Sequence, residues 1–332
     1  LSARERILVR LPNWLGDALL ARPLLHAVRR GRPGAEITGV GPAPLLDLLA
    51  GDAILDRAMA WPADRHGRAS VLEAVRRPAP GWALVLPPSF SSAWFAWRSG
   101  ARVRVGYRHE GRSALLTHAL TRPARGELHL SREYLRLGAV IGAREASVPS
   151  LPVSVAGDEK ARRLLEAGAG SGRRYVILAP GARYGPAKQW PPERFAELGR
   201  ALAARDLRVL VCGGAAERPV CDALARAVGG DALPLGGRTD LPTQAALCAR
   251  AAVVVSNDSG LAHLAGAVGA ATIALFGSTS SAWTAPLGAR VRIVQHAPVC
   301  SPCFRRTCAI GYRCLNAIAV EEVRRACAEL AA

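Results

Sequence analysis

Short runs rich in Val, Ile and Leu alternate with amphipathic stretches from one end of this 332-residue chain to the other. A strand covered on both faces reads as a continuous apolar run, and the helix that covers it reads as a 3.6-residue stripe. The alternation therefore predicts parallel strands joined by crossover helices, an α/β chain. In the first half, Arg6 to Leu11, Glu36 to Val40 and Trp82 to Leu86 read as strands and Ala18 to Arg30 as a helix. In the second half the strands are Tyr175 to Ala179, Arg208 to Cys212, Ala252 to Ser256 and Thr272 to Phe276, with helices near Glu193 to Arg205 and Leu261 to Val268.

Pro149 and Pro152, a polar helix-like stretch from Asp158 to Ala167, and then Gly168, Gly170 and Gly172 mark the best linker. The sequence thus predicts an N-terminal domain over residues 1–155 and a C-terminal domain over 173–318. A last helix over 319–332 is placed to pack back on the N-terminal domain. Two doubly wound, Rossmann-like domains with a central cleft would take a ligand outside the carboxyl ends of their strands.

With half its residues hydrophobic, the chain is too apolar to be disordered. Its formal charge of +18 calls for an anionic partner. Only Lys160 and Lys188 among the 44 basic residues are lysines, however, so much of this charge is an arginine bias rather than a set of chosen contacts. Charge alone suggests a nucleic-acid-binding protein. No recognised nucleic-acid module accompanies it, and no nucleic acid is expected as a partner. Arg4, Glu5, Arg6 and Arg10 interrupt any secretory signal, and glycines and Pro286 break the uncharged stretch from Ser259 to Ala289, so no membrane span is expected. Eight cysteines without a signal point to a reducing compartment.

Several chemistries are missing. There is no G-x-x-x-x-G-K-[ST] loop, no H-E-x-x-H helix, no G-x-S-x-G elbow and no Asp-x-Asp pair to hold a divalent ion against a diphosphate. A nucleotide would be gripped by backbone amides and basic side chains. Three segments can do this. Val253 to Ser256 turns abruptly through Asn257-Asp258-Ser259-Gly260 into a helix, whose free amides at Ser259 and Gly260 suit a phosphate; Asp258 or Ser259 acting as a plain cap is the other reading. His263 follows one turn on, as a ligand or as a hydrogen-bonded core histidine. Pro180 to Pro191 is a loop at a strand end carrying Lys188, either a compact point charge for an anion or a solvated loop lysine. Leu11-Pro12-Asn13-Trp14-Leu15-Gly16-Asp17 puts Asp17 at a helix N-terminus, as a cap or as a general base.

These segments, in their order along the chain and with Phe276-Gly277-Ser278-Thr279-Ser280 and Pro286-Leu287 after them, resemble glycosyltransferase family 9 over nearly the whole chain. The resemblance implies a GT-B fold and an inverting, metal-independent transfer of heptose from an ADP-heptose donor to a heptose of the lipopolysaccharide inner core, with no cofactor required. It implies Asp17 as the catalytic base. Asn13, Gly16, Lys188, Glu217, Asp258, Ser259, Gly260 and His263 are its implied substrate-binding residues. Lys188 and the Ser259 and Gly260 amides would hold the donor phosphates, and Glu217 the ribose. Gly237 to Leu241 would lie on the adenine side. A lipid-linked anionic acceptor implies a cytoplasmic enzyme, peripheral at the inner face of the membrane. A sugar-nucleotide epimerase of the same fold is the enzymatic alternative.

Two features stay open. Phe90, Trp94, Phe95 and Trp97, followed by Arg98, Arg102, Arg104 and Arg108, form either a buried helix face or a membrane- or acceptor-facing patch. Cys300, Cys303, Cys308 and Cys314 fall within fifteen residues, as structural zinc ligands, free thiols or a disulfide.

Overall fold

Each half of the chain builds a six-stranded parallel sheet around its most apolar runs. The computed structural model describes residues 4–144, 147–166 and 172–331. The chain divides into two units, Leu1–Pro149 and Ser150–Ala332. In the first, β1 (Arg6–Arg10), β2 (Glu36–Gly41), β3 (Arg57–Ala60), β4 (Trp82–Val85), β5 (Val103–Tyr107) and β6 (His118–Leu120) lie in the order β3-β2-β1-β4-β5-β6. In the second, β7 (Tyr175–Ala179), β8 (Arg208–Val211), β9 (Leu233–Pro234), β10 (Val253–Asn257), β11 (Thr272–Phe276) and β12 (Val291–Gln295) lie in the order β12-β11-β10-β7-β8-β9.

Counted from the first strand of each unit, both sheets follow the 3-2-1-4-5-6 winding, with every pairing parallel. The winding reverses between β1 and β4 and again between β7 and β10. Chain leaving the carboxyl ends of those strands diverges there and leaves room for a ligand.

The central strands β7, β10 and β11 are buried along their whole length, as their unbroken apolar sequences require. Edge strand β3, Arg-Ala-Met-Ala, alternates between half-buried and exposed. In the second unit Trp190 and Phe195 are fully buried and meet edge to face, ring centroids 5.0 Å apart, while the indole N–H donates to Ile318 O at 3.1 Å.

Two boundary expectations change. The stretch read as a linker is a helix, Val155–Glu166, of the second unit. Ala161 of this helix is wholly buried, and Gly157 sits so close to Pro242 that a Cβ there would lie 2.5 Å from its carbonyl oxygen. Ala167, Gly168 and Gly170 lie outside the described residues, so only Gly172 of the glycine cluster is seen. The last helix, Val320–Ala331, was expected to pack back on the first domain; its Val323, Ala326 and Cys327 instead fill the second unit's own core beside Phe195 and Leu198. Short helices bury an apolar stripe wherever a sheet face is nearest, and composition cannot say which sheet that is.

Candidate functional site

In the second unit, the loops after β7 and β10 converge through one side chain. Asn257, fully buried at the end of β10, accepts the Trp190 N–H at 2.9 Å and donates to Pro180 O at 2.7 Å, clamping both ends of the 180–190 loop. The next residue, Asp258, is also buried. Lys188 Nζ lies 2.6 Å from Asp258 Oδ2, and the Thr279 hydroxyl donates to the same oxygen at 2.5 Å. Lys188 is thus no solvated loop lysine: its side chain is only 14 % exposed and is aimed by a buried carboxylate. Asp258 serves Lys188 and Thr279 rather than capping the helix that follows.

That helix, Gly260–Ala267, begins at Ser259 with no side-chain cap. The Ser259 hydroxyl pairs instead with Ser256 Oγ at 3.0 Å. The amides at this helix start therefore keep their partial positive charge beside an ammonium group, the pairing an anion requires. His263 is buried one turn along the same helix. Glu217 closes the other side. Its carboxylate accepts the Gly214 N–H at 2.8 Å and stands so near Gly181 that a Cβ there would come within 2.0 Å of it, which explains a glycine at that place. In the Gly237 to Leu241 loop, Asp240 caps the helix Leu241–Arg250 through the Thr243 N–H at 2.9 Å.

The cysteines separate into two groups. Cys212, Cys221, Cys248 and Cys327 are buried apolar fillers; burial pushes the Cys212, Cys221 and Cys327 thiols up to about 12 and Cys248 further. Cys300 is exposed, Cys303 and Cys308 are half-buried and Cys314 is buried beside Leu315. Among the described residues no three His, Cys, Asp or Glu side chains gather as a ligand set. Instead the Ile310 and Tyr312 N–H groups, with Arg305 and Arg313, hold the Cys308 thiol below its ordinary value.

In the first unit, β1 runs through Leu11 to Asn13 into the helix Leu15–Leu20, whose N-cap is Trp14. Gly16 and Asp17 are its second and third residues, so Asp17 is not the N-cap, and its carboxylate stands in the positive field of the first turn. Burial, with the Asp17 charge adding, pushes the Tyr134 phenol well above its usual range. Asn13 is exposed, and its Oδ1 accepts from Arg10 Nη2 at 2.9 Å.

Arg10 itself carried no sequence signal. It is 4 % exposed, stacks over Trp61 with its Cζ 5.0 Å from the ring centre, and shares that ring with Arg68 at 5.4 Å. Burial and the Arg68 charge lower its pKa to about 10. Arg112, fully buried, is equally silent in the sequence. It donates to Tyr107 O and Pro87 O and so ties the loops that follow β4 and β5.

The aromatic helix buries one side and exposes the other. On the helix Phe90–Arg98, Phe95 is buried against Trp61, whereas Phe90, Trp94 and Trp97 are 45, 43 and 45 % exposed. Those three form one ridge: Phe90 stacks on Trp94 at 6.5 Å, Trp94 meets Trp97 at 4.9 Å, and Arg98 lies over Trp94 at 5.9 Å.

The sequence is 29% identical over 307 residues to lipopolysaccharide heptosyltransferase 2 of Salmonella typhimurium, covering 87% of this chain and 88% of that one. It is 30% identical to lipooligosaccharide heptosyltransferase 2 of Haemophilus influenzae over the same shares. The fold matches the structure of E. coli ADP-heptose lps heptosyltransferase II with a TM-score of 0.83 and 26% identity, over 98% of both chains, so the α/β architecture is of the GT-B type. Residues 68–312, well over half of the chain, match the model of glycosyltransferase family 9 (heptosyltransferase), and the chain belongs to that family.

Proposed function

We propose that the protein transfers heptose from ADP-heptose to a heptose of the lipopolysaccharide inner core, with inversion at the anomeric carbon. The observation that carries this reading is the Lys188–Asp258–Thr279 cluster beside an uncapped helix start, at the point where the second sheet reverses its winding. Lys188 and the Ser259 and Gly260 amides hold the pyrophosphate, and Glu217 accepts a ribose hydroxyl. The acceptor oxygen attacks the anomeric carbon, the bond from that carbon to the ADP oxygen breaks, and the electron pair leaves with ADP. Asp17 takes the acceptor's proton. Positive partners fixed in advance stabilise the charge that grows on ADP, a contribution of roughly 10²–10³ in rate for one such donor. Because a lysine and two amides meet that charge, the reading needs no metal at the phosphates.

The acceptor in this reading is lipid-linked and anionic, and the enzyme works at the cytoplasmic face of the membrane. Among the described residues no helix is long and apolar enough to cross a membrane. Attachment is assigned to the ridge of Phe90, Trp94 and Trp97, with Arg98, Arg102 and Arg108 exposed nearby, because aromatic rings settle at the lipid–water boundary and guanidinium groups pair with anionic headgroups.

The test is product analysis. Purified protein with ADP-heptose and a heptose-bearing inner-core acceptor should release ADP and form a glycoside of inverted configuration. ADP-heptose alone should return unchanged. An epimer formed without acceptor, or no turnover with any heptosyl donor, would defeat the reading.

A further inference from the structure

The cysteine-rich segment is docked onto the walls of the donor site. Phe304 N–H donates to Ser278 O at 2.7 Å, and the Ser301 hydroxyl donates to Gly277 O at 2.8 Å. Ala187 N–H donates to Arg306 O at 3.0 Å, and the Tyr184 hydroxyl donates to Phe304 O. Gly185 makes this approach possible: its φ of 144° lies outside the range most residues adopt, and a Cβ there would be 2.6 Å from Arg306 O. These bonds bring a second cation to the ring that Lys188 also meets. Lys188 Nζ lies 5.0 Å from the centre of the Tyr184 ring and Arg306 Cζ lies 5.5 Å from the same centre.

The two cations are held differently. Lys188 is neutralised by Asp258, whereas among the described residues no carboxylate lies within ion-pair distance of Arg306, whose side chain is exposed. One ring thus gathers two positive heads with a single negative partner, an excess that an arriving dianion would relieve. Guanidinium offers the fork that fits two phosphate oxygens, while ammonium supplies a point charge.

We infer that Arg306 is a further donor-binding residue, contacting the diphosphate of the nucleotide sugar beside Lys188, and that carrying it is the task of the cysteine-rich loop. This rests on the second unit's being the donor site. The loop's bonds to the site run through main-chain oxygens and nitrogens apart from the Ser301 and Tyr184 hydroxyls, so the Arg306 side chain can be removed without undoing them.

The experiment is calorimetric titration of full-length protein with ADP and, by displacement, with adenosine. The variants are Arg306→Ala, Arg306→Lys and, as a control on the same loop, Arg305→Ala. Arg306→Ala should raise the Kd for ADP about tenfold, as loss of one charge-assisted contact does, and leave that for adenosine unchanged. Arg306→Lys should recover part of the loss, and Arg305→Ala should match wild type. Unchanged ADP affinity in Arg306→Ala, or an equal loss for ADP and adenosine, overturns the assignment, the second result meaning that the loop only shapes the site. Wild-type protein that ignores ADP would overturn the donor reading itself, and this inference with it.

Discussion

The two units share one winding and place side chains of opposite charge where it reverses. After β1 the first unit places a carboxylate, Asp17, in the opening turn of a short helix; after β7 and β10 the second places an ammonium group and an uncapped helix start. The fold supplies the location, the carboxyl end of a strand at the reversal point, and the side chains decide whether that location takes a proton or holds an anion. In the second unit the buried acid, Asp258, directs a cation. In the first a buried cation, Arg10, directs the loop that leads to the acid.

That contrast can be broken most sharply at Asp17. Asp17→Ala should lower kcat by about 10²–10⁴ and leave ADP-heptose binding within twofold by calorimetry, since only the proton acceptor is lost. Turnover at the wild-type level would remove Asp17 from the chemistry. Lys188→Ala should do the reverse, weakening ADP binding by roughly tenfold or more. It should also lower Tm, because Asp258 is left buried without its partner, a loss of about 3–5 kcal/mol. The double change Lys188→Met with Asp258→Asn separates the two effects: it should restore much of the Tm and none of the ADP affinity.

A smaller effect tests the ridge of the first unit. Trp94→Ser with Trp97→Ser should cut sedimentation with phosphatidylglycerol-containing vesicles by roughly tenfold while kcat on a soluble, truncated acceptor stays at the wild-type value. Equal vesicle binding by both proteins would move the membrane contact elsewhere.

The smallest concerns acid. Burial alone would raise the Asp56 carboxyl, but the Ile37 N–H, Arg29 and Arg4 hold it down to about 2. In the second unit burial would likewise raise Asp240, yet Lys160 and Thr243 hold it at about 2. A carboxyl depressed in the folded state stabilises above its unfolded value of about 3.9 and loses that stabilisation as pH falls toward 2. Hydrogen exchange followed by unit should therefore show both units loosening between about pH 4 and 2. Asp56, 26 % exposed, should matter more than Asp240 at 47 %, where water screens the pair. Asp56→Asn should flatten the first unit's response more than Asp240→Asn flattens the second's.

Legibility followed burial. Runs such as Tyr175 to Ala179 and Val253 to Ser256 announce themselves because strands covered on both faces must be apolar throughout. Strand β5 and the edge strands β3, β6, β9 and β12 did not, being short or half-exposed, with Arg104, Arg57, His118 and Arg292 among their residues. The linker reading failed for a related reason: the helix Val155–Glu166 is polar because only Gly157 and Ala161 of it are buried. At the site, the motif residues were visible as a set, but their partnerships were not. In the first unit Arg10 and Trp61 come from positions with no site pattern of their own; in the second, Thr279 and Arg306 lie in segments the sequence did mark, but their contacts with Asp258 and the Tyr184 ring are not written there.

The amino-acid sequence by itself determined the α/β class, the strand-to-helix turns at 11–17, 180–191 and 256–260, and the residue types available there, because periodicity and turn chemistry are local. Only the tertiary structure decided that Lys188 answers to Asp258, that Ser259 leaves its helix uncapped and that the aromatic helix shows one face and hides the other. Those outcomes depend on which distant segments share a sheet end, and distances across a fold are set by packing rather than by order along the chain.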